Sequence, residues 1–545
     1  MKSFVKYIIP AAAVLLTMGL SSCNSDLNID PIDPNQHFTK DITPEQLINK
    51  CYANFAKGGN GSADDNTDYS ADDGGTTGFV RQVFNCENLT TDEAICAWGD
   101  AGIEGWNNAM PDASNAMLTM LYNRMYVGIA YCNRYLDTFG DHDATMTAEV
   151  RFLRAYEYWV LLDVFGNPAF ATSVSNDAPN DAPKQISRID LYNWILSELK
   201  DIEPNLNDPQ PKKEGETGYG RVDKAADWLL QARLYINAKV YTGKADWEDA
   251  KTYAKKVMDS PYKLYTGETK NGWTAYQQLF MGDNGTNGAS VEAVFPLIQD
   301  GNTTRSYGCT RFLIQSATNN AEKINPDGTT VGTNTNDQWS GNRARPQLIE
   351  KFFSNTARAT GKEVYQMPEA ANDDRALFEG NGRTLNVTSQ AAFKNGFGVC
   401  KWNNWYTTGN QAGHDVGFPD TDYFLMRSAE AYLIFAEADA NINGGTTTDE
   451  GTAAINALRN RAHAVTHSSY NLNYICDEWS REFYWEGLRR PTLIRFGRFG
   501  GNSDYTWAWK GGELAGSKMD AHYNLFPLPA DELNANHNLK QNPGY

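Results

Sequence analysis

The apolar positions of this chain recur mostly at helical spacing. Across residues 147–165, Phe152, Ala155, Tyr156, Trp159, Leu162 and Val164 fall at i, i+3, i+4 intervals, which predicts one amphipathic helix. Gly166-Asn167-Pro168 stops it, because Pro has no N–H for the next helical bond. A second run over 223–240 turns Ala226, Leu229, Leu230, Ala232, Leu234 and Tyr235 inward. Residues 246–258 follow at once with Ala250, Tyr253, Ala254 and Val257 on one side, and Pro261 ends the unit. Residues 422–440 and 449–462 make a third pair, and 117–137 supplies a further helix. Two helices, a short turn, small Ala residues at the contact and a Pro exit resemble the tetratricopeptide repeat. About four such degenerate, widely spaced units predict a mainly α scaffold.

Between these helices lie Gly-, Asn-, Asp- and Thr-rich blocks at 57–112, 265–345 and 354–420. Loops this long inside a compact chain are functional or pack as a subdomain, which predicts an irregular, loop-rich lobe inserted into the helical scaffold. The body so defined covers 41–545. Residues 24–40 are polar, carry Asp30-Pro31 and Asp33-Pro34 and lack an apolar period, so they read as a tether.

The first 22 residues differ from everything after them. Lys2 and Lys6 precede a short apolar run from Ile8 to Leu20, and Leu20-Ser21-Ser22-Cys23 closes the segment. The run is shorter than the ~20 residues a membrane-spanning helix needs. It has the parts of an export signal, and the Cys at its end resembles a bacterial lipobox. Residues 1–22 are then a leader, 23–40 a lipidated Cys and tether, and Cys23 the anchor. An ordinary secretory signal with a chance Cys is the rival reading.

Composition narrows what the body can meet. The chain holds 48 basic against 67 acidic residues, a net charge of −19, and losing Lys2 and Lys6 with the leader makes it more negative still. Such a surface repels phosphate backbones and excludes nucleic acid as the natural ligand. Aromatic residues make up 12% of the chain, with 14 Trp and 28 Tyr. That supplies a large core and leaves rings for flat surface platforms of the kind that stack on sugar C–H faces. Cys51, Cys86, Cys96, Cys132, Cys309, Cys400 and Cys476 show no C-x-x-C pair and no zinc spacing, so they read mostly as small buried apolar side chains. A disulfide such as Cys86–Cys96 is open to the chain, but nothing in the spacing requires it.

Signatures of catalysis are missing. There is no H-E-x-x-H among the 7 His, no G-x-S-x-G, and no Walker or dinucleotide glycine pattern. Gly75-Thr76-Thr77-Gly78 reads as lacking the helix start that a phosphate loop needs. A glycosidase needs two carboxyls roughly 5–10 Å apart across a cleft, and Asp92, Glu93, Asp163, Glu482 and Glu486 qualify by type. Glu482 and Glu486 are placed one helical turn apart, interleaved with Arg489, Arg490 and Arg495. That pattern reads better as ion pairs that fix a helix.

Several stretches then resemble one family. They are Glu149-Val150-Arg151-Phe152-Leu153-Arg154-Ala155-Tyr156 with Phe165-Gly166, and Gly220-Arg221-Val222-Asp223-Lys224-Ala225-Ala226. Pro419-Asp420-Thr421-Asp422, Arg427-Ser428-Ala429-Glu430-Ala431-Tyr432-Leu433, the 482–497 block and the final Gln541-Asn542-Pro543-Gly544-Tyr545 continue the set. Together they look like the SusD/RagB family of outer-membrane nutrient-binding lipoproteins. Arg81-Gln82-Val83-Phe84-Asn85-Cys86, Thr91-Asp92-Glu93, Ala97-Trp98 and Tyr307-Gly308 point to its starch-binding branch.

The resemblance implies four tetratricopeptide units packed on a looped lobe, glycan binding without cleavage, and a place as a lid over a TonB-dependent barrel of the SusC type. It implies a starch-like α-glucan as ligand, gripped by an aromatic arc and a few polar groups, a site matched here by Arg81, Trp98, Tyr307 and Trp339. The family pattern offers an amide three positions after the matching Trp. Here Ala101 stands there beside Asp100, with Asn107 or Asn108 as the substitute. A structural Ca²⁺ is also implied, with Asp420 and Asp422 as ligands and Asp283 as the third carboxylate. Oxygen ligands at alternate positions suit that ion, while a turn-forming Asp-Thr-Asp that caps the next helix fits the same residues. Three rival functions stay open: the same role with another glycan, a surface glycosidase, and a helical scaffold without a ligand.

Overall fold

The computed structural model describes residues 42–545 apart from 60–66, 70–73, 175–181 and 333–338. The leader, Cys23 and the tether lie outside the described residues. The chain divides into two units, Met1–Leu47 and Ile48–Tyr545. In the first, Thr43 and Gln46 exchange bonds, N–H to Oε1 at 3.0 Å and N–H to Oγ1 at 3.2 Å. This capping box opens the helix Pro44–Ala56.

The second unit is predominantly helical. Several of its long helices start where a polar side chain satisfies a free N–H. Asn115 caps Ala116–Phe139, Asp143 caps Ala144–Val164, Ser187 caps Arg188–Ile202 and Asp223 caps Lys224–Ile236. They pack in succession: Ala116–Phe139 on Ala144–Val164, that helix on Arg188–Ile202, and Lys224–Ile236 on Trp247–Asp259. Ser428–Ile442 then packs against Trp247–Asp259, Asp449–Arg461 and Leu472–Phe483. Ala250 and Ala254 on one side and Ala429, Ala431, Ala436, Ala438 and Ala440 on the other are fully buried, which permits close approach. The predicted stop after 165 is observed: Gly166 takes φ 73°, and its N–H and that of Phe165 bond the Leu161 carbonyl at 3.1 and 2.9 Å.

Three sequence expectations are corrected. The run predicted over 223–240 breaks at Asn237, whose Nδ2 donates to the Arg233 carbonyl at 2.9 Å before the chain resumes as Ala238–Thr242. The run predicted from 422 begins as a strand, Tyr423–Arg427, antiparallel to Ala293–Leu297, and becomes helical only at Ser428. Glu482 and Glu486 are not on one helix, because Leu472–Phe483 ends and Trp485 turns the chain with φ 67°. The loop blocks hold short elements, including strands Ala94–Cys96 and Asn342–Ala344 that pair antiparallel. Among the described residues no helix is long and apolar enough to cross a membrane.

Charge buried without solvent organises the core. Arg427, with no side-chain exposure, bonds Glu486 at 2.8 Å, Glu292 at 2.6 Å and Glu482 at 3.0 Å. Arg461 bonds Glu292 at 3.0 Å and also Glu482. Arg375 reaches Asp373, Glu478 and Glu482 at 2.8, 2.9 and 3.2 Å, and Lys401 reaches Glu486 at 2.6 Å. The ion-pair reading of Glu482 and Glu486 holds, but their partners come from distant elements. Arg489 serves Asp92 and Arg495 serves Glu437 instead. Burial by itself would raise the Glu478 carboxyl, but Arg375, Arg481 and Arg459 outweigh it and bring it down to about 2.

Two outcomes follow. Glu482→Gln leaves Arg427 and Arg461 short of a counter-charge and should destabilise the fold by about 3–5 kcal/mol in urea unfolding. The stability tied to ionised Glu478 is complete above the unfolded carboxyl value of ~4.3 and drains away as pH falls towards the folded value. Circular dichroism should therefore show acid unfolding between those limits, with Glu478→Gln flattening that stretch of the profile.

Candidate functional site

Strand pairing brings the predicted site residues together. Ala94–Cys96 runs against Asn342–Ala344, and Ala97 N–H extends the ladder to the Gly341 carbonyl at 2.9 Å. Trp98 follows one strand, while Trp339 and Ser340 precede the other. The N–H groups of Trp339 and Ser340 both bond the Gln315 carbonyl, at 3.1 and 2.9 Å. Ser340 and Gly341 take φ 50° and 108° to make that turn. A Cβ on Gly341 would run into the Trp98 indole, so the position requires glycine twice over. Tyr307 arrives from the other side. Its neighbour Gly308 accepts the Arg81 N–H at 3.0 Å, and a Cβ on Gly78 would stand 2.9 Å from the Gly308 Cα.

The result is one assembly of rings and guanidinium groups. Arg81 lies 5.6 Å from the Trp98 ring centroid and 5.2 Å from that of Phe312. Trp98 meets Phe312 edge-on at 6.3 Å and 66°. Arg311, the residue before Phe312 on the helix Thr310–Gln315, stands over Tyr307 at 4.4 Å, Trp339 at 5.7 Å and Phe418 at 4.1 Å. Tyr307 in turn packs edge-on against Phe418 at 5.2 Å. Trp98, Tyr307 and Trp339 are half-buried, whereas Arg81 and Arg311 are buried at 7% and 4% exposure. The cations therefore back the rings and leave part of each ring open. Cation–π contact of this kind contributes about 0.5–2 kcal/mol per pair and fixes ring orientation. Arg81, Trp98, Tyr307 and Trp339 converge as expected from the sequence. Arg311, Phe312 and Phe418 complete the set and were not foreseen.

Beyond Trp98 the surface opens into a cavity of about 760 Å³, lined among others by Asp100, Glu104, Asp112, Gln390 and Trp509. Asp100 and Ala101 are exposed on it. Asn107 lines it too, but as a buried clamp: its Oδ1 accepts from Cys96 N–H at 2.9 Å, and its Nδ2 donates to the Cys96 carbonyl at 2.8 Å and to Gln390 at 3.0 Å. The expectation that Asn107 offers a free amide to a ligand is therefore corrected. Behind the cavity, Arg345 donates to the carbonyls of Ala94, Leu89, Asn107 and Ala508, the first three at 2.7, 3.1 and 2.7 Å. Arg343 does the same for Gly341, Gln390 and Asn395 at 2.6, 2.8 and 2.7 Å. Burial lowers these guanidinium groups to about 9 and about 10, so both stay charged at neutral pH.

Residues 262–545 match the model of the SusD family. The chain is 36% identical to "Starch-binding protein SusD" of Bacteroides thetaiotaomicron, over 99% of each chain. The chain belongs to the SusD family. A crystal structure of a SusD superfamily protein from the same organism superposes at TM-score 0.65 with 16% identity, covering 92% of this chain and 99% of that one. A "Laminarin binding SusD-like protein" superposes at 0.63 with 19% identity, covering 92% and 99%. These two structures share its fold.

The SusD-family motifs have visible tasks. Arg151 and Arg154 both bond Glu198, and Glu149 bonds Arg221 and Tyr52, which ties three segments to one helix. Arg233 holds Glu430 across the scaffold. Asn542 of the terminal motif donates to the carbonyls of Phe165 and Phe526, both at 2.8 Å, so the chain end locks onto the Phe165-Gly166 stop. Gly75-Thr76-Thr77-Gly78 is followed by a helix after all, Phe79–Phe84, but its N–H of Arg81 is given to Gly308 and not to an anion.

Each carboxylate of the implied calcium site accepts hydrogen bonds from protein donors. Asp422 accepts from Tyr219 and from Gln299 N–H at 2.7 Å. Asp420 accepts from Gly301 N–H at 2.9 Å, His414 at 2.8 Å and Tyr406 at 2.5 Å. Asp283 turns to Thr407, whose N–H and hydroxyl reach it at 2.9 and 2.6 Å. Among the described residues no group of three or more His, Cys, Asp or Glu is arranged to hold a metal ion. Asp422 does not cap a helix either, since it precedes a strand. The candidate catalytic carboxyls Asp92, Glu93, Asp163, Glu482 and Glu486 are all buried among protein partners. Cys86 and Cys96 are free buried thiols, so the Cys86–Cys96 disulfide does not form.

Gly341→Ala tests the glycine requirement. It should cost about 1–3 kcal/mol of stability and alter the tryptophan near-ultraviolet circular dichroism, because the Trp98 ring must move.

Proposed function

We propose that this protein captures starch-like α-glucan outside the cell and holds it, uncleaved, for a TonB-dependent transporter of the SusC type. One observation carries the reading. Arg81, Trp98, Tyr307 and Trp339 converge on a single surface with their rings part-open and their backs held by cations, in a chain 36% identical along its length to a starch-binding protein. A glucose chain presents successive apolar C–H faces edged by hydroxyls. Rings set in an arc stack on those faces, and the buried guanidinium groups behind them hold the rings in place. Binding without cleavage is the better reading because the candidate carboxyls are buried and each is held by protein donors. In this scheme Cys23 carries the lipid that fixes the body to the outer membrane, and the transporter barrel lies beneath.

A second reading keeps the role and changes the sugar. It is favoured by Ala101, which replaces an amide that the family pattern places after Trp98. The same fold also serves a laminarin binding SusD-like protein, and a glycan array separates the two readings.

Isothermal titration with maltoheptaose should give saturable heat. Trp98→Ala and Trp339→Ala should each weaken binding by ~1–3 kcal/mol, the scale of losing one stacked ring in another ligand class. Absence of heat alongside a binding-competent control sinks the α-glucan reading.

A further inference from the structure

The arc of rings uses Trp98 as its edge, yet Trp98 also lines the cavity of about 760 Å³ beyond it. Arg81, Tyr307, Trp339 and Arg311 do not line that cavity. Trp98 is thus shared between two surfaces, and a chain stacked along the arc would continue past it into the cavity. Trp509 lines the same cavity. Its backbone takes φ 71°, a conformation that a bulky residue adopts only where the surroundings enforce it. Its indole Nε1 donates to the Val387 carbonyl at 2.9 Å, so the ring is held in one orientation while half-buried. Gln390 is fixed as well, through Asn107 and Asn108 at 3.0 and 2.8 Å. The volume lies in the usual range for a ligand site, roughly 300–1,000 Å³.

Charge sets which chain can enter. Asp100, Glu104 and Asp112 are exposed and line the cavity, and its described lining holds no Lys or Arg. Carboxylates accept hydrogen bonds from sugar hydroxyls and repel carboxylated or sulfated sugars.

Resting on the glycan-capture reading above, we propose that this cavity is a second glycan subsite continuous with the arc. Trp509 is its terminal stacking platform, and the Asp100, Glu104 and Asp112 carboxylates restrict it to neutral chains. Neither Trp509 nor this selection against acidic glycans is part of the four-residue arc.

The test uses the full mature chain. Trp509→Gly removes the ring and relieves the positive φ, so its melting temperature should stay near that of the wild type. Its dissociation constant for maltoheptaose should rise about 5- to 100-fold, the scale of one lost stacking partner. A triple variant, Asp100→Asn with Glu104→Gln and Asp112→Asn, should bind maltoheptaose oxidised to the 6-carboxylate, which the wild type should reject. Wild-type binding that Trp509→Gly leaves unchanged overturns the platform. Equal wild-type affinity for neutral and carboxylated chains overturns the charge selection. If the wild type gives no heat with maltoheptaose, the α-glucan reading itself falls and the subsite falls with it.

Discussion

Arg427 is fully buried at the end of the strand Tyr423–Arg427, and it answers Glu292, Glu482 and Glu486 at once. A guanidinium taken out of water costs several kcal/mol unless every donor finds an acceptor. The elements that carry those acceptors can therefore pack in few ways. Arg461 bonds two of the same carboxylates from the helix Asp449–Arg461, and Arg375 reaches Glu482 from the loop-rich region. Helical pairs and irregular lobe meet at this knot. Apolar contacts add most of the favourable area, but the knot selects the arrangement in which that area is buried.

The knot reaches the site through rings. Past Glu482 the chain turns at Trp485, which packs edge-on against Phe84 at 5.0 Å, and Phe84 meets Phe312 at 5.5 Å. Phe312 is the ring that Arg81 and Trp98 share. The helix Phe79–Phe84 thus turns Phe84 to the core and Arg81 to the site. Ring orientation at the surface is set by a path of packed side chains running back to buried charge.

Much of this was legible in the sequence, and the reasons for the rest are physical. Helical periodicity found the long helices because their buried faces are wide. It failed at 422–427, where a buried strand and a buried helix give the same run of apolar residues, and at Asn237, where a side chain takes a carbonyl that the helix would have used. Arg81, Trp98, Tyr307 and Trp339 were reached through resemblance, and their convergence depends on a strand pairing that no local pattern announces. Arg311 and Phe312 sit a few residues past Tyr307-Gly308 and could have been suspected from that neighbourhood. Phe418 had no linear signal. Asn107 was misjudged because its chemistry suits a ligand as well as it suits a backbone; only burial tells the two apart. Nor does the alternate spacing of Asp420 and Asp422 reveal that Tyr219, Tyr406 and His414 bond them, or that Thr407 bonds Asp283.

Arg343 and Arg345 join the segments around Leu89, Asn107, Gln390, Asn395 and Ala508 by bonding their carbonyls. Exported proteins often tie such loops with disulfides. Here Cys51, Cys86, Cys96, Cys132, Cys309, Cys400 and Cys476 stay buried as thiols. The lobe is therefore fastened by bonds that form on packing and need no oxidant, no isomerase and no thiol exchange.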